Sequence, residues 1–258
     1  MEIIDCHAHI FNNTGYVDSL IKMMDECQIS KCCISGLGPS FYSVENEGIA
    51  GIIKQYPDRF IGAYFIRPGF DQPEIVDIAH AEGFKMIKVS LPSMGYDDPK
   101  FYCLWERAER YNMPILFHTG VITVPNPAPK ERISSWDMHP MRLEPIANMF
   151  PKLNIIIAHL GVHWNLDAAE LIRMRPNVYA DITGEPTGWR KRVEQEGLNK
   201  YLWWEGAFNK ILFGTDVIYS KIPQILEKDK EILAKNEVNQ SIQKNYFGTT
   251  IKRLLNIE

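Results

Sequence analysis

The sequence predicts an α/β protein built as a closed (β/α)8 barrel, and three observations carry that expectation. Eight short β-type runs recur along the 258 residues, longer amphipathic stretches separate them, and stop signals stand between helical stretches and the runs that follow. The runs are 3–9, 31–35, 60–65, 86–89, 114–118, 154–159, 178–181 and 211–215. Their spacing, about 22 to 41 residues between ends, suits one strand plus one crossover helix. Parallel neighbours cannot be joined by a hairpin, so strands alternating with helices imply a parallel sheet. Eight such units fit a closed barrel better than an open doubly wound sheet.

The intervening segments are read in the same way. Leu20, Ile21, Met24 and Cys27 share one face of a helix over 17–27, and Phe101, Leu104, Trp105 and Ala108 share one face over 98–112. Pro57-Asp58, Asn112-Met113-Pro114 and Pro151-Lys152-Leu153 end helical stretches ahead of a strand. Two segments depart from the short connections: 119–137, with Pro125, Pro127 and Pro129, and 183–189, with Gly184, Pro186 and Gly188. Both follow strand ends, where long loops serve as lids or binding loops. With no linker and no internal repeat beyond the β/α rhythm, residues 1–258 read as one domain.

Composition removes several classes of function. The chain is 45% hydrophobic and 23% charged, and its 28 basic against 32 acidic residues leave a charge of −4. Such a balance gives no general grip on phosphate backbones, so no nucleic-acid partner is expected. No apolar run approaches the ~20 residues that span a bilayer, and acids stand in the opening Met1-Glu2-Ile3-Ile4-Asp5 where a signal peptide carries bases. The expectation is a cytoplasmic protein without a membrane partner. The five cysteines follow no disulfide or zinc spacing and read as reduced, mostly buried residues.

The polar residues at the strand ends carry the chemistry. Strict alternation on the first strand sends Ile4, Cys6, Ala8 and Ile10 to the helix layer and leaves Ile3, Asp5, His7 and His9 facing inward. Buried polar groups without partners cost about 1 to 3 kcal/mol each, so the interior must supply hydrogen bonds, charges or a metal. Lys88, His118, His159, Asp181 and Asp216 stand at or just past the ends of other runs, where barrels of this type collect reactive groups. His7 and His9, two apart on a strand, project side by side and can share one cation with His118 and Asp216. That nitrogen-and-oxygen set suits Zn2+, with Mn2+ or another divalent ion as alternatives. An isolated His-x-His is more often incidental; its companions give this one weight. His163 follows His159 by four residues, but no glutamate completes a helical zinc-protease motif. His80, His139 and His163 read as surface or loop residues, and Trp136 and Trp164 as packing residues.

Asp5-Cys6-His7-Ala8-His9, Leu116-Phe117-His118-Thr119-Gly120, Ile157-Ala158-His159-Leu160-Gly161 and Phe213-Gly214-Thr215-Asp216 resemble the strand 1, 5, 6 and 8 signatures of the amidohydrolase superfamily. The similarity is to the small amidohydrolases related to aminocarboxymuconate-semialdehyde decarboxylase and pyrone-dicarboxylate hydrolase. It extends over nearly the whole chain, including the closing Asn245-Tyr246-Phe247-Gly248 and Lys252-Arg253-Leu254-Leu255. The resemblance implies a TIM barrel in which His7, His9 and His118 bind one metal ion. It also implies that Asp216 binds the ion or accepts a proton from its water, and that His159 serves as acid/base or polarises the substrate. In two-metal relatives a carboxylated lysine on strand 4 bridges the ions; Lys88 lies in that strand, but a salt bridge or substrate contact is the preferred reading. Asp181 is read as a ligand-ordering, substrate or structural residue, Asp5 as a residue supporting the ligands from behind or a structural one, and Arg67 as a substrate-carboxylate contact or an exposed ion pair.

The leading expectation is a metal-dependent hydrolase whose metal-bound hydroxide attacks an amide, ester or lactone of a small, carboxylated molecule. The alternative is a non-oxidative decarboxylase of an unsaturated or aromatic acid, since the same motifs serve both chemistries. A non-catalytic barrel binding a metal or metabolite is a third reading. A homodimer is expected by base rate and family analogy.

Overall fold

Eight parallel strands stand in chain order around a nearly closed barrel: β1 (Ile4–His9), β2 (Lys31–Ser35), β3 (Phe60–Ile66), β4 (Met86–Val89), β5 (Ile115–Phe117), β6 (Ile155–Ile157), β7 (Val178–Asp181) and β8 (Ile211–Leu212). The computed structural model describes residues 1–122, 128 and 130–257. Pro125, Pro127 and Pro129 lie outside the described residues. Each strand pairs in parallel with the next, from β1 with β2 through β7 with β8. A helix follows every strand: Tyr16–Glu26, Asn46–Gln55, Ile75–Ala81, Tyr102–Arg110, Leu143–Met149, Asn165–Met174, Trp189–Glu196 and Ile222–Lys235. The architecture is the predicted (β/α)8 TIM barrel. Among the described residues no helix is long and apolar enough to cross a membrane.

The helical faces anticipated from spacing are buried where they matter. Leu20 and Met24 of the first helix, and Leu104, Trp105 and Ala108 of the fourth, pack into the layer between helices and strands. The fourth helix begins later than 98 because the Asp98 carboxylate accepts from the Lys100 amide and Pro99–Phe101 forms a tighter turn first. Strands β5, β6 and β8 are shorter than the runs that announced them. After β6 the backbone turns left-handed at His159 (φ 59°) and Leu160 (φ 44°), and after β8 at Asp216 (φ 49°), which ends regular pairing and re-aims side chains.

Strand β1 corrects the simple alternation. Ile4 and Asp5 pair with Lys31 and Cys32, while Ala8 and His9 pair with Ile34 and Ser35, so Cys6 and His7 together oppose Cys33. This bulge shifts the facing of the strand midway. Below it Ile4 and Cys6 pack inside the barrel with Cys33, Ile61, Ala63, Met86, Leu116, Ile156, Ala158, Tyr179 and Leu212. Above it Ala8 packs with the helix layer, and His7 and His9 reach the interior site. The closing helix Thr250–Leu254 adds Ile251 and Leu254, with Leu255, to the same interior set.

The seam between β8 and β1 is joined partly by side chain. Cys6 N donates to Phe213 O at 2.9 Å and Asp216 N donates to His7 O at 2.8 Å. Between them the buried Asp5 carboxylate accepts from the His7 amide (3.0 Å), the Thr215 amide (3.1 Å) and the Thr215 hydroxyl (2.6 Å). Burial pushes the Asp5 carboxyl up to about 7 although these donors pull the other way. Gly214 is needed at the same seam, because a Cβ there would stand 2.7 Å from Thr183 Cγ2 and 3.1 Å from His7 Cβ. Replacing Asp5 with alanine strands three buried donors, each worth about 1 to 3 kcal/mol. Urea denaturation of Asp5→Ala is expected to show a loss on the order of 3 kcal/mol or more, whereas a loss under about 1 kcal/mol would mean the seam does not depend on this carboxylate.

Candidate functional site

The carboxyl ends of β1, β4, β6 and β7 and the turn after β8 converge on one cluster. His7 and His9, separated by one residue above the bulge, hold their rings 5.1 Å apart, nearly perpendicular. His9 Nε2 lies 3.1 Å and His7 Nε2 3.9 Å from Asp216 Oδ1. The other carboxylate oxygen, Oδ2, lies 3.7 Å from His159 Nε2. Asp216 therefore faces the β1 histidines with one oxygen and the β6 histidine with the other. Its left-handed backbone is what aims the carboxylate inward, the kind of strain that functional sites retain.

Among the described residues two groups bring metal-competent donor atoms within 4.8 Å of one another: His7, His9 and Asp216 form one, and His7, His159 and Asp181 the other. The second is a hydrogen-bond network. Asp181 is fully buried; its Oδ2 lies 2.9 Å from His7 Nδ1, and its Oδ1 accepts from the His159 amide at 2.7 Å, the Thr183 amide at 3.0 Å and the Thr183 hydroxyl at 2.6 Å. The carboxylate accepts a proton-bearing Nδ1, which leaves His7 Nε2 with its lone pair facing the cluster. That is how an outer carboxylate prepares a metal-binding imidazole. His9 is oriented comparably, with Nδ1 2.9 Å from Ser35 Oγ.

His118, one residue beyond β5, stands in neither close donor group. Its ring lies 5.1 Å from that of His159, and its Nε2 is buried with no hydrogen-bond partner among the described residues. A buried imidazole nitrogen without a partner is an unmet demand that a cation satisfies, so the donor set fits a divalent ion. Gly120, φ 102°, holds this turn close to its neighbour, since a Cβ there would collide with Val162 O.

Electrostatics favour the same use. Burial, then the Lys88 charge, lowers the His7 imidazole to about 4; burial, then His159 and Lys88, drives His118 well below its ordinary value. Both keep lone pairs at neutral pH. Burial tends to raise Asp216 and Asp181, but His7 and its neighbours outweigh it and hold both carboxyls below the usual range. Lys88 is also buried, with Nζ 2.9 Å from His7 Nε2, and burial pulls its ammonium down to about 8 against the attraction of Asp216 and Asp181.

Other positions sort differently. Arg67 forms a salt bridge with Glu131 and lies over the Phe70 ring at 4.1 Å, joining the turn after β3 to the segment after β5. His139, expected on the surface, is buried between Trp136 and Trp164, with ring distances of 4.8 and 4.5 Å, and its Nδ1 accepts from the Met141 amide. The Pro140 turn needs that cap, which a lone histidine in a loop does not announce. His80 stacks on Tyr111 at 4.1 Å and His163 is exposed. Cys6, Cys32 and Cys33 are buried and Cys103 is exposed, all as free thiols. Thr183 went unnoticed in the sequence although its hydroxyl touches both Asp181 and His159; a threonine after a strand carries no signal of its own.

A family model described as Amidohydrolase matches residues 4–257. The chain belongs to the amidohydrolase family. Membership places it among enzymes. No curated protein matches the chain. Among solved structures, an uncharacterized TIM-barrel protein from Bordetella bronchiseptica is similar at a TM-score of 0.74 and 17% identity, over 99% of each chain. A probable 2-pyrone-4,6-dicarboxylic acid hydrolase from Acinetobacter baumannii, with citric acid bound, is similar at 0.69 and 16% over 100% of each chain. A 5-carboxyvanillate decarboxylase from Novosphingobium aromaticivorans, complexed with manganese and 4-hydroxy-3-methoxy-5-nitrobenzoic acid, is similar at 0.67 and 15%, over 99% of this chain and 96% of that one. At such identities the likeness is one of fold, and this amidohydrolase shares it with enzymes of more than one chemistry.

If Asp181 orients His7 for a cation, Asp181→Asn weakens divalent-ion binding about 10- to 100-fold. Competition with a chromogenic chelator reads this directly. Unchanged affinity in a folded variant would remove Asp181 from the centre.

Proposed function

We propose that this amidohydrolase is a metal-dependent hydrolase of an amide, ester or lactone in a small carboxylated molecule, using one divalent ion, most simply Zn2+. The observation that carries the reading is the two-sided placement of Asp216, with Oδ1 toward His9 and His7 and Oδ2 toward His159. His7, His9, His118 and Asp216 are the residues that would hold the ion. When bound, a divalent ion polarises a carbonyl oxygen and acidifies water.

The chain's own groups do the rest. Asp216 Oδ2 and His159 Nε2 are neighbours, so a proton released where the cluster opens can rest on either and be returned to a leaving atom. Lys88 supplies a cation beside the same cluster, suited to a substrate oxygen or carboxylate. Arg67 is already paired with Glu131, which supports an ion-pair role over substrate contact. Citric acid and a nitrobenzoate in the two neighbouring proteins support a small carboxylate as the substrate class.

The manganese-bound decarboxylase neighbour favours a second reading, loss of CO2 from an aromatic acid. A panel of esters, lactones, amides and aromatic carboxylates, assayed with Zn2+- and Mn2+-loaded protein, separates the two by product. Hydrolysis is expected, abolished by chelation and restored by metal. His159→Asn and Asp216→Asn are each expected to lower kcat by about 100-fold or more. Full activity in both variants would overturn the reading, and release of CO2 alone would replace it with the second.

A further inference from the structure

We propose that Thr183 is a positioning residue that fixes the tautomer of His159, presenting Nε2 to the reacting groups as a proton acceptor. The argument is one of proton counting around Asp181. Its Oδ1 receives two backbone amides, from His159 at 2.7 Å and Thr183 at 3.0 Å, which can only donate. The Thr183 hydroxyl oxygen stands 2.6 Å from the same oxygen. Two oxygens at that separation need a proton between them, and an oxygen already receiving two amides is the acceptor. The single hydroxyl proton of Thr183 is therefore committed to Asp181.

What remains on the hydroxyl oxygen is lone pairs, and His159 Nδ1 lies 2.8 Å from it. The Thr183 carbonyl oxygen, an obligate acceptor, lies 3.3 Å from the same nitrogen. Two acceptors from one residue require a proton on Nδ1, so the neutral imidazole carries none on Nε2. Nε2 is the nitrogen 3.7 Å from Asp216 Oδ2. The carbonyl is held in turn by Trp189 Nε1 at 2.8 Å. Asp181 thus orders two histidines, His7 through Oδ2 directly and His159 through Oδ1 and Thr183.

The consequence for chemistry rests on the hydrolytic reading above. With Nε2 unprotonated, His159 enters as a base: as a water oxygen bonds to the carbonyl carbon, its O–H proton passes to Nε2. That proton then goes to the leaving atom as the bond from carbon to it breaks, and the imidazole returns to its Nδ1–H form. A reaction that begins by protonating a substrate carbon receives no proton from His159 Nε2 in this resting state.

The test uses 15N-histidine-labelled, Zn2+-loaded protein, with the His159 signals assigned by their loss in His159→Asn. Two-bond proton–nitrogen spectra of the wild type are expected to show His159 as the Nδ1–H tautomer. Thr183→Val, which keeps the shape and removes the hydroxyl, is expected to mix the tautomers and to lower kcat about 10- to 100-fold with KM within about twofold. Thr183→Ser is expected to restore both readouts. An Nε2–H tautomer in the wild type, or a valine variant with unaltered spectra, would overturn the proposal. Because the spectra need no substrate, they decide Thr183 even if the hydrolase reading fails on the substrate panel.

Discussion

Everything at the site depends on how the first and last strands meet. The β1 histidines and Asp216 are more than 200 positions apart in the chain and face one another because the barrel closes between β8 and β1. Regular ladder bonds make only part of that junction. The Asp5 carboxylate supplies the rest, accepting from the amide of His7, which belongs to the cluster, and from that of Thr215, which adjoins Asp216. The seam and the cluster share residues, so the geometry of one sets the geometry of the other.

Around this junction a second carboxylate works at a different level. Asp181 lies on the far side of His7 from Asp216 and holds its Nδ1, leaving Nε2 for the cluster. The two acids therefore differ in what they do. Asp181 is buried and saturated with donors, whereas Asp216 is 23% exposed and turned toward open chemistry. Their placement at neighbouring strand ends, Asp181 closing β7 and Asp216 in the turn after β8, lets both reach the same imidazole. Lys88 completes the ring of charge, which explains why its Nζ is tolerated in a fully enclosed position.

The fold was legible because strands and crossover helices write a rhythm that survives local irregularity. Runs at 31–35, 86–89 and 178–181 coincide with β2, β4 and β7, and the four signature segments mark where polar side chains gather. What the letters did not reveal are features set by closure. The β1 bulge cannot be read from a strand whose residues alternate on either side of it; only the pairing of Cys6 and His7 against Cys33 exposes it. His118 illustrates the converse, since its residue type predicts a ligand while its nearest ring is that of His159. Thr183 and the cap made by His139 depend on contacts between distant elements, for which one sequence offers no periodicity.

The bulge also separates two kinds of variation. Below it, Ile4 and Cys6 line an apolar floor; above it, the same strand offers imidazoles to the mouth. A change of floor volume at Ile61 or Leu116 falls on other strands, away from the residue count that sets the facing of His7 and His9. Inserting or deleting one residue between Asp5 and Ala8 would invert that facing at a stroke. The strand is thus divided at its bulge: Ile4 in its lower half packs by volume, while the orientation of its upper half is tied to a count of residues.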